Sequence, residues 1–238
     1  MSWLVLAVAV FALSTIKTLP FAYFARFYFQ VLVTVFLPMA RFFRNGKQNT
    51  FGFTKPGDVF SWVPYHSYVS PLEIDMYLHK SNSTYFADLD IARTKLVCQI
   101  MQRMFIRFRN NDTGEFKGKS VKNFPFVPVA SIKGSFKREM LVFSRFQIKS
   151  RFFGWDDNKW VYVVSKFVTG SGKNEKVMGI FVTKYCFKKK GRITIRPREI
   201  LQESGFFTEE VYQQGLKQGE TAWTDDWDTL CKIADATD

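Results

Sequence analysis

Residues 82–105 read NSTYFADLDIARTKLVCQIMQRMF, and this stretch decides the fold. Its apolar residues recur at helical spacing and cover a wide face, which is typical of a helix buried on most sides. They are Tyr85, Phe86, Leu89, Ile91, Ala92, Leu96, Val97, Ile100, Met101 and Met104. The pattern predicts one long, largely buried helix from Asn82 to about Phe105.

Short runs rich in aromatic and β-branched residues lie on both sides of this helix and predict strands. One run precedes the helix, at Val63–Val69. Four follow it, at Val127–Phe136, Phe143–Gly154, Trp160–Thr169 and Lys176–Phe187. The connections between the later strands, beginning with Lys137-Arg-Glu, have lengths and residue types that suit hairpins. This order predicts an α+β fold in which a mainly antiparallel sheet wraps around the helix.

The first 57 residues contain two apolar stretches, Trp3–Ile16 and Phe27–Met39, each shorter than the roughly 20 residues that span a membrane as a helix. Two arrangements are open. In one, a single helix from Ser2 to Phe24 spans the membrane, the Lys17 side chain extends to the lipid head groups, and an interfacial helix follows. In the other, the two stretches form a re-entrant hairpin. We favour the single span and predict a retained N-terminal membrane anchor.

The charges beside the anchor predict its orientation. Arg26, Arg41, Arg44 and Lys47 follow the apolar stretch, and positive charge favours the cytosolic or matrix side of a membrane. The folded domain is therefore expected there, on the mitochondrial inner membrane or the endoplasmic reticulum. No basic region precedes the apolar residues, as it would in a cleaved signal peptide.

The net charge of +13 is unevenly distributed. Residues 199–238 hold ten acidic and two basic residues, so the rest of the chain is strongly basic. This basic part of the chain can bind anionic lipid, the phosphates of coenzyme A or nucleic acid. The basic run Phe187–Arg192 is explained as well by lipid or coenzyme A as by RNA, and no nucleic-acid partner is predicted.

Three segments follow from these patterns: 1–57 as membrane anchor and linker, 58–195 as the folded domain and 196–238 as an acidic helical tail. In the tail, Thr208 is expected to cap a helix at Glu209–Lys217, and Thr224 a helix at Asp225–Ala234. The content of 27 Phe also predicts apolar surface that faces lipid or a partner.

The chain offers few residues for metal or nucleophile chemistry. It has three cysteines without a CxxC pair, two histidines, no G-x-S-x-G motif and no glycine-rich phosphate loop. We predict no metal site and no cofactor, and we expect the cysteines to be free thiols of a reducing compartment.

The loop before the central helix reads EIDMYLHKSNSTY, from Glu73 to Tyr85. It resembles the helix-entry loop of the hotdog-fold thioesterase superfamily, which commonly reads D-x-D-x-x-x-H-x-N-N-x-x-Y. The resemblance extends over about Val63–Phe187 and, with the apolar N-terminus, is closest to a membrane-anchored, thioesterase-like branch. It implies a hotdog fold. The chain departs from the common pattern at Glu73 and Ser81.

The resemblance also implies roles for three residues. Asp75 stands where active relatives have the carboxylate that activates water or attacks the thioester. His79 and Asn82 match positions in the loop and at the start of the helix, where backbone N–H groups would polarise the thioester carbonyl. Structural roles remain open for each: an Asx-turn for Asp75, packing for His79 and a helix N-cap for Asn82.

Two functional hypotheses follow. In the first, the chain is a membrane-anchored acyl-CoA thioesterase that uses Asp75 and the helix N-terminus, with the acyl chain beside the central helix. In the second, it is a non-catalytic hotdog subunit of a membrane complex, for instance in the mitochondrial inner membrane. Whether the chain is an enzyme stays open at this level. The expected partners are lipid, acyl-CoA, and either a second copy of the chain or other subunits.

Overall fold

The computed structural model describes residues 2–224 and 226–235. Its helices are α1 (Trp3–Thr15), α2 (Ala22–Val31), α3 (Met39–Arg44), α4 (Asn82–Ile100), α5 (Gln102–Asn110), α6 (Pro197–Ser204), α7 (Glu209–Ala222) and α8 (Trp227–Asp235). Its strands are β1 (Val63–Tyr68), β2 (Val129–Phe136), β3 (Arg145–Trp155), β4 (Trp160–Thr169), β5 (Lys176–Lys189) and β6 (Ile193–Ile195). The predicted α+β class is confirmed.

The strands form one antiparallel sheet in the order β1-β3-β4-β5-β2, and β6 pairs with the end of β5. The sheet curls around α4, which packs against β1, β3 and β4. Two apolar clusters of the core lie along α4, one around Leu89 and one around Leu96. The central helix and the sheet around it therefore follow the predicted design.

The predicted helix at 82–105 differs from the observed one in one respect. Met101 leaves the helical conformation, with φ −88° and ψ 19°, although its N–H still donates to Val97 O at 2.9 Å. The chain resumes as α5 and ends at Asn111, which adopts the left-handed conformation that commonly terminates helices. Two helices thus replace the single predicted one.

The expected hairpin at Lys137-Arg-Glu is wrong. β2 pairs with β5, whereas β3 pairs with β1 and β4, so residues 137–144 form a crossing connection between strands that are not neighbours. The connection is fixed to the start of the central helix, because Lys80 N donates to Met140 O at 2.7 Å and His79 bridges Leu141. This crossing places the connection beside the predicted site.

The other two hairpins are confirmed. In the β3–β4 turn, Asp156 Oδ1 accepts hydrogen bonds from the N–H groups of Asn158, Lys159 and Trp160, at 2.7–3.0 Å. In the β4–β5 turn, Gly170 has φ +78°, and a Cβ there would lie 2.4 Å from Asn174 O. Only glycine fits such a position without displacement of the backbone.

The favoured membrane span from Ser2 to Phe24 does not form one helix. α1 ends at Thr15, and after a short turn Phe21 adopts a left-handed conformation with φ 66° next to Pro20, which has no N–H to donate. A second helical stretch then runs from Ala22 to Arg44 through a π-helical turn at Leu32–Phe36. Among the described residues, this second stretch is the one helix long and apolar enough to cross a membrane.

The tail packs against strands β3, β4 and β5 of the sheet. α7 crosses β3, with Gly215 and Gly219 so close to Trp155 that a Cβ on either would lie 2.1 Å from its atoms. The predicted cap is confirmed, since Thr208 Oγ1 accepts from Val211 N at 3.2 Å. The helix passes its predicted end at Lys217 and continues to Ala222.

The first and last tail helices, α6 and α8, differ from the sequence analysis in smaller ways. Helix α6 was not predicted, although Pro197 at its first turn is a recognised start signal. Near the second predicted cap, Thr224 Oγ1 accepts from Asp226 N at 3.1 Å, and α8 begins at Trp227. Asp225, the predicted first residue of that helix, lies outside the described residues.

Candidate functional site

The loop that enters α4 folds back on itself as a narrow hairpin. Ile74 bridges Lys80, and Asp75 N donates to His79 O at 3.0 Å. Leu78 takes a left-handed conformation, with φ 62°, that closes the turn. Residues four apart in the sequence thereby come to lie side by side, which brings together the two loop residues predicted for the site.

The carboxylate of Asp75 faces the imidazole of His79. Asp75 Oδ1 lies 3.4 Å from His79 Nδ1 and also accepts a hydrogen bond from Tyr77 N at 2.9 Å. The second contact is the Asx-turn that was weighed as a structural role, and it orients the carboxylate. Oδ2 makes no hydrogen bond to the described residues, so this oxygen is available to water.

A second carboxylate approaches the other side of the imidazole. Glu139 Oε1 lies 3.6 Å from His79 Nε2, and the ring of His79 also stacks on Tyr77 with centroids 5.7 Å apart. Glu139 belongs to the crossing connection after β2. The sequence analysis missed this residue because the connection was interpreted as a hairpin turn at the end of the sheet.

The start of α4 lies next to this pair. Ser81, not Asn82, is the N-cap residue, so the predicted capping role of Asn82 is wrong by one position. Asn82 is the first helical residue and is exposed. The Ser81 side chain makes no capping hydrogen bond to the first turn. The N–H groups of this turn can therefore receive an oxygen atom that gains negative charge.

The loop, the start of α4 and the crossing connection enclose a pocket of about 240 Å³. His79 and Asn82 line it, whereas Asp75 is joined to it through His79. The remaining lining residues are Lys80, Tyr85, Phe136, Lys137, Arg138 and Glu139. All three predicted site residues thus lie at one place, and the basic residues at the pocket were not predicted.

A cluster of five charged groups, four of them buried, lies behind the loop, around Asp88 of α4. Asp88 Oδ2 contacts Lys80 Nζ at 2.9 Å and Lys17 Nζ at 3.0 Å, and Asp88 Oδ1 contacts Arg26 Nη2 at 2.6 Å. Glu73 completes the cluster, with its oxygens 2.7 Å from Lys17 Nζ and 3.3 Å from Lys80 Nζ. We call these five residues the Asp88 cluster.

The electrostatic balance keeps Asp88 ionised. Burial raises the pKa of its carboxyl group, but the positive charges of Lys17, Lys80 and Arg26 outweigh this effect and lower the pKa to about 2. The carboxylate has no exposed surface. A buried charge of this kind is tolerated because it is paired and hydrogen-bonded.

The Asp88 cluster holds both ends of the site loop. Glu73 stands two residues before Asp75, and Lys80 stands one residue after His79. Glu73 Oε2 also accepts from Ser70 N at 2.9 Å, which fixes the chain ahead of the loop. The geometry of Asp75 and His79 therefore depends on charges that neither residue contacts.

Two members of the Asp88 cluster come from the N-terminal segment. Lys17 is 8% exposed and ion-paired, so its predicted extension to lipid head groups is wrong. Two signals in the sequence could have revealed the cluster. One is the single lysine between two apolar stretches, and the other is an aspartate on the apolar face of the central helix, between Tyr85 and Leu89.

Other reactive groups play no part in the site. Among the residues that the structure describes, no group of three or more His, Cys, Asp and Glu side chains is placed to hold a metal ion. Cys98 and Cys186 are buried free thiols, and burial raises the pKa of Cys98 to about 12. The thiol of Cys98 is consequently protonated at neutral pH and is a poor nucleophile.

Comparison with known proteins places this site in context. No family model matches the chain. A probable thioesterase of Saccharomyces cerevisiae is 37% identical over 208 residues, which cover 85% of this chain and 80% of that protein. Thioesterase lcsJ of Purpureocillium lilacinum is 47% identical over 149 residues, or 59% of this chain and 47% of that protein. Thioesterase poxG of Penicillium oxalicum is 32% identical over 252 aligned positions, which cover 93% of this chain and 77% of that protein.

Among solved structures, a probable thioesterase of Escherichia coli aligns with a TM-score of 0.47 at 13% identity, over 60% of this chain and 96% of that one. This likeness is too weak to add to the assignment. The assignment rests on the curated relatives, which are named as thioesterases. They give no support to the hypothesis of a non-catalytic accessory subunit. With 37% identity over four fifths of its Saccharomyces cerevisiae relative, the chain belongs to the thioesterase family of these proteins.

Proposed function

We propose that this chain hydrolyses acyl-CoA thioesters at the pocket beside the start of α4. The observation that carries the proposal is the Asp75–His79 pair, at 3.4 Å, next to a helix N-terminus whose N-cap residue, Ser81, makes no side-chain capping bond. A positioned carboxylate and a set of backbone donors are the two elements that thioester hydrolysis requires. The relatives that share the sequence are named as thioesterases.

Asp75 acts as the general base. Its Oδ1 is engaged by Tyr77 N and His79, which leaves Oδ2 to take a proton from water. The activated water attacks the thioester carbonyl carbon and forms a C–O bond, while the carbonyl electrons move to the oxygen. His79, held between two carboxylates, positions Asp75.

The first turn of α4 stabilises the oxygen that becomes negative. Its N–H groups and the partial positive charge of the helix N-terminus favour an oxyanion more than the neutral carbonyl of the substrate. When the tetrahedral species collapses, the C–S bond breaks and the thiolate receives a proton from the Asp75 carboxyl group. The products are a free carboxylic acid and a thiol, and Asp75 returns to its ionised form.

The charges around the pocket support coenzyme A as the thiol carrier. Lys137 and Arg138 lie at the pocket, and phosphate groups are bound well by such side chains. The positive charge of the chain outside the acidic tail also attracts a substrate that carries several negative charges. A glutamate at the same pocket, Glu139, restricts where the phosphates can lie.

We also propose that the N-terminal helices attach the protein to a membrane from one side. α1 is apolar on all sides and largely exposed, with Trp3 87% and Phe21, at the following bend, 80% accessible. At 13 residues, α1 is too short to cross the hydrocarbon layer. Because Arg26 is tied to Asp88, α2 stays on the domain and offers its exposed apolar face to lipid. We expect the domain on the cytosolic or matrix side, as the charge distribution predicts.

A second copy of the chain is the expected partner of the enzyme. β1 and β2 lie at the two ends of the strand order, and side chains along β2 are largely exposed. An exposed edge strand can pair with the same strand of another copy.

The test of the catalytic proposal compares two carboxylates in the full-length protein purified in mild detergent. Asp75→Asn is expected to lower the rate of thiol release from palmitoyl-CoA by about 100-fold or more, because the amide cannot accept the proton. Asp58→Asn is the matched control, since Asp58 also accepts backbone N–H bonds, from Thr54 and Lys55 at 2.8 Å. Equal turnover by the two variants contradicts the proposal.

A further inference from the structure

An apolar cavity of about 550 Å³ lies along the second half of α4. It is bordered by α2 on one side and by α5 and residues 121–127 on the other, and it opens to the surface beside Tyr28, Val121 and Phe126. Aromatic and aliphatic side chains form most of its wall, among them Phe27, Val31, Val97, Phe105 and Phe124. A volume and a lining of this kind are typical of sites for small organic ligands.

One end of the cavity is polar and centres on Arg93 of α4, which is 2% exposed. Arg93 Nη1 donates to Thr183 Oγ1 at 2.6 Å, and Nη2 donates to Asp90 Oδ1 at 3.2 Å. Nε is buried and has no hydrogen-bond partner among the described residues. A buried donor left without an acceptor is costly, so a ligand that brings an acceptor to this end of the cavity is favoured.

The wall contributed by the N-terminal segment contains an irregular helical turn. Residues Leu32–Phe36 form a π-helical turn, and Val31 and Val35, at its edge and within it, line the cavity. Thr34 O, within the same turn, accepts from Gln102 Nε2 at 2.7 Å, so the irregular backbone is held in place by α5. π-helical turns are energetically unfavourable and occur frequently at functional sites.

The cavity shares no lining residue with the pocket at the start of α4. Asp90, its first α4 residue, is eight positions beyond Asn82, or about 12 Å along the helix axis. The two spaces also differ in character, because the pocket is bordered by lysine, arginine and glutamate whereas the cavity is mainly apolar.

We propose that this cavity binds one long acyl chain, whose carbonyl end lies beside Arg93. The apolar walls fit the hydrocarbon part. Asp90 balances the charge of Arg93, so the polar end suits an ester carbonyl or a carboxyl group better than a strongly charged head group. α2, which faces lipid in the proposed membrane attachment, forms one wall and lies between the bilayer and the cavity. Binding at this site requires no hydrolysis at Asp75.

The test uses palmitic acid that carries a photoreactive diazirine on its chain, added to the full-length Asp75→Asn protein in detergent micelles. After irradiation, the label is expected on peptides that contain residues 90–98 and 121–127. Thr94→Phe places a ring in the cavity wall and is expected to reduce this labelling by about fivefold or more. Ala87→Phe adds the same ring to an exposed position of α4 outside the cavity and is expected to leave it unchanged.

Two further measurements complete the test. Arg93→Met is expected to weaken labelling, and circular dichroism establishes that each variant is folded. Competition with unlabelled palmitic acid or with dipalmitoyl phosphatidylcholine identifies a free fatty acid or a lipid acyl chain as the natural occupant. Labelling confined to α1, labelling unaffected by Thr94→Phe, or competition by neither compound overturns the proposal. Because the Asp75→Asn protein is used, failure here is separate from failure of the proposed hydrolysis.

Discussion

The two ends of the chain are attached to the central domain by different kinds of contact. The N-terminal segment inserts Lys17 and Arg26 into the interior, where they pair with the carboxylate of Asp88. The acidic tail instead packs against β3, β4 and β5, where Gly215 and Gly219 of α7 lie directly on Trp155. The first attachment adds buried charge to apolar packing at Val35 and Phe42, and the second depends on close packing.

This difference bears on function. The Asp88 cluster joins the N-terminal segment to the loop that carries Asp75 and His79, and the same segment forms a wall of the cavity beside Arg93. No described residue of the tail lies at either place, and its indole contact, Trp155 Nε1 to Tyr212 O at 3.1 Å, joins α7 to the end of β3. Disruption of the first attachment should alter the site, and disruption of the second should alter stability alone.

The largest effect is expected from removal of the tail helices. Deletion of residues 207–238 exposes the apolar cluster on the outer face of the sheet, which includes Phe153, Tyr162, Val164 and Ile180. We expect the truncated protein to aggregate and to lose cooperative unfolding in urea. Circular dichroism measures the unfolding. Deletion of residues 2–15, most of which are exposed in α1, is the matched control and should retain cooperative unfolding. A folded, soluble protein without α7 and α8 would show that the tail is dispensable.

A smaller but still large effect is expected from Asp88→Asn. This substitution leaves the buried Lys17 and Lys80 and the partly buried Arg26 with one carboxylate. Loss of one partner from a buried ion pair typically costs about 3–5 kcal/mol of unfolding free energy. The control is Asp112→Asn, because Asp112 pairs with the half-exposed Lys47 and surface pairs contribute about 1 kcal/mol or less. Urea denaturation compares the two variants. Equal losses would mean that the Asp88 cluster does not hold the N-terminal segment.

Much of the fold could be predicted because it follows from local patterns. The strand Trp160–Thr169 was predicted with its observed bounds, and Thr208 caps its helix as expected. The pairing of β2 with β5 could not be read in this way, since it depends on contacts between distant residues. Short polar connections suggest hairpins, and the strand pairings of the folded chain show that this one crosses the sheet.

The candidate site was predicted only in part, for the same reason. Asp75, His79 and Asn82 follow one another in the sequence and were found through a resemblance of that loop. Glu139 and the Asp88 cluster come from segments that meet the loop only in the folded chain, with Lys17 and Asp88 71 residues apart. A lone charge in an apolar stretch signals a buried partner or a membrane surface equally well, and the partner cannot be identified before the fold is known.

Close packing of the tail can be tested at one glycine. Gly215→Ala places a methyl group against the Trp155 ring, whose nearest atom would be 2.1 Å away. Overpacking of this kind costs about 1–3 kcal/mol, which exceeds the gain of up to about 1 kcal/mol in helix propensity. Gly57→Ala is the control, since nothing lies within 4 Å of a Cβ there. Thermal unfolding should show a lower midpoint for Gly215→Ala, with thioesterase activity unchanged at low temperature. A raised midpoint would show that α7 moves freely on the sheet.

The smallest effect is the pH dependence that Asp88 confers on the N-terminal attachment. The folded-state pKa is lowered to about 2 from an ordinary value of 3.8, so the stabilisation is present above pH 4 and is lost as the pH falls through the folded-state pKa. From pH 5 to pH 3 the unfolding free energy should decrease by about 1 kcal/mol through this group. Carbon-13 NMR of aspartate-labelled protein measures the titration directly, with Asp112 as the control carboxylate. An Asp88 carboxyl group that titrates near pH 4 would contradict the pairing with Lys17, Lys80 and Arg26, and the N-terminal segment would then be attached by packing, as the tail is.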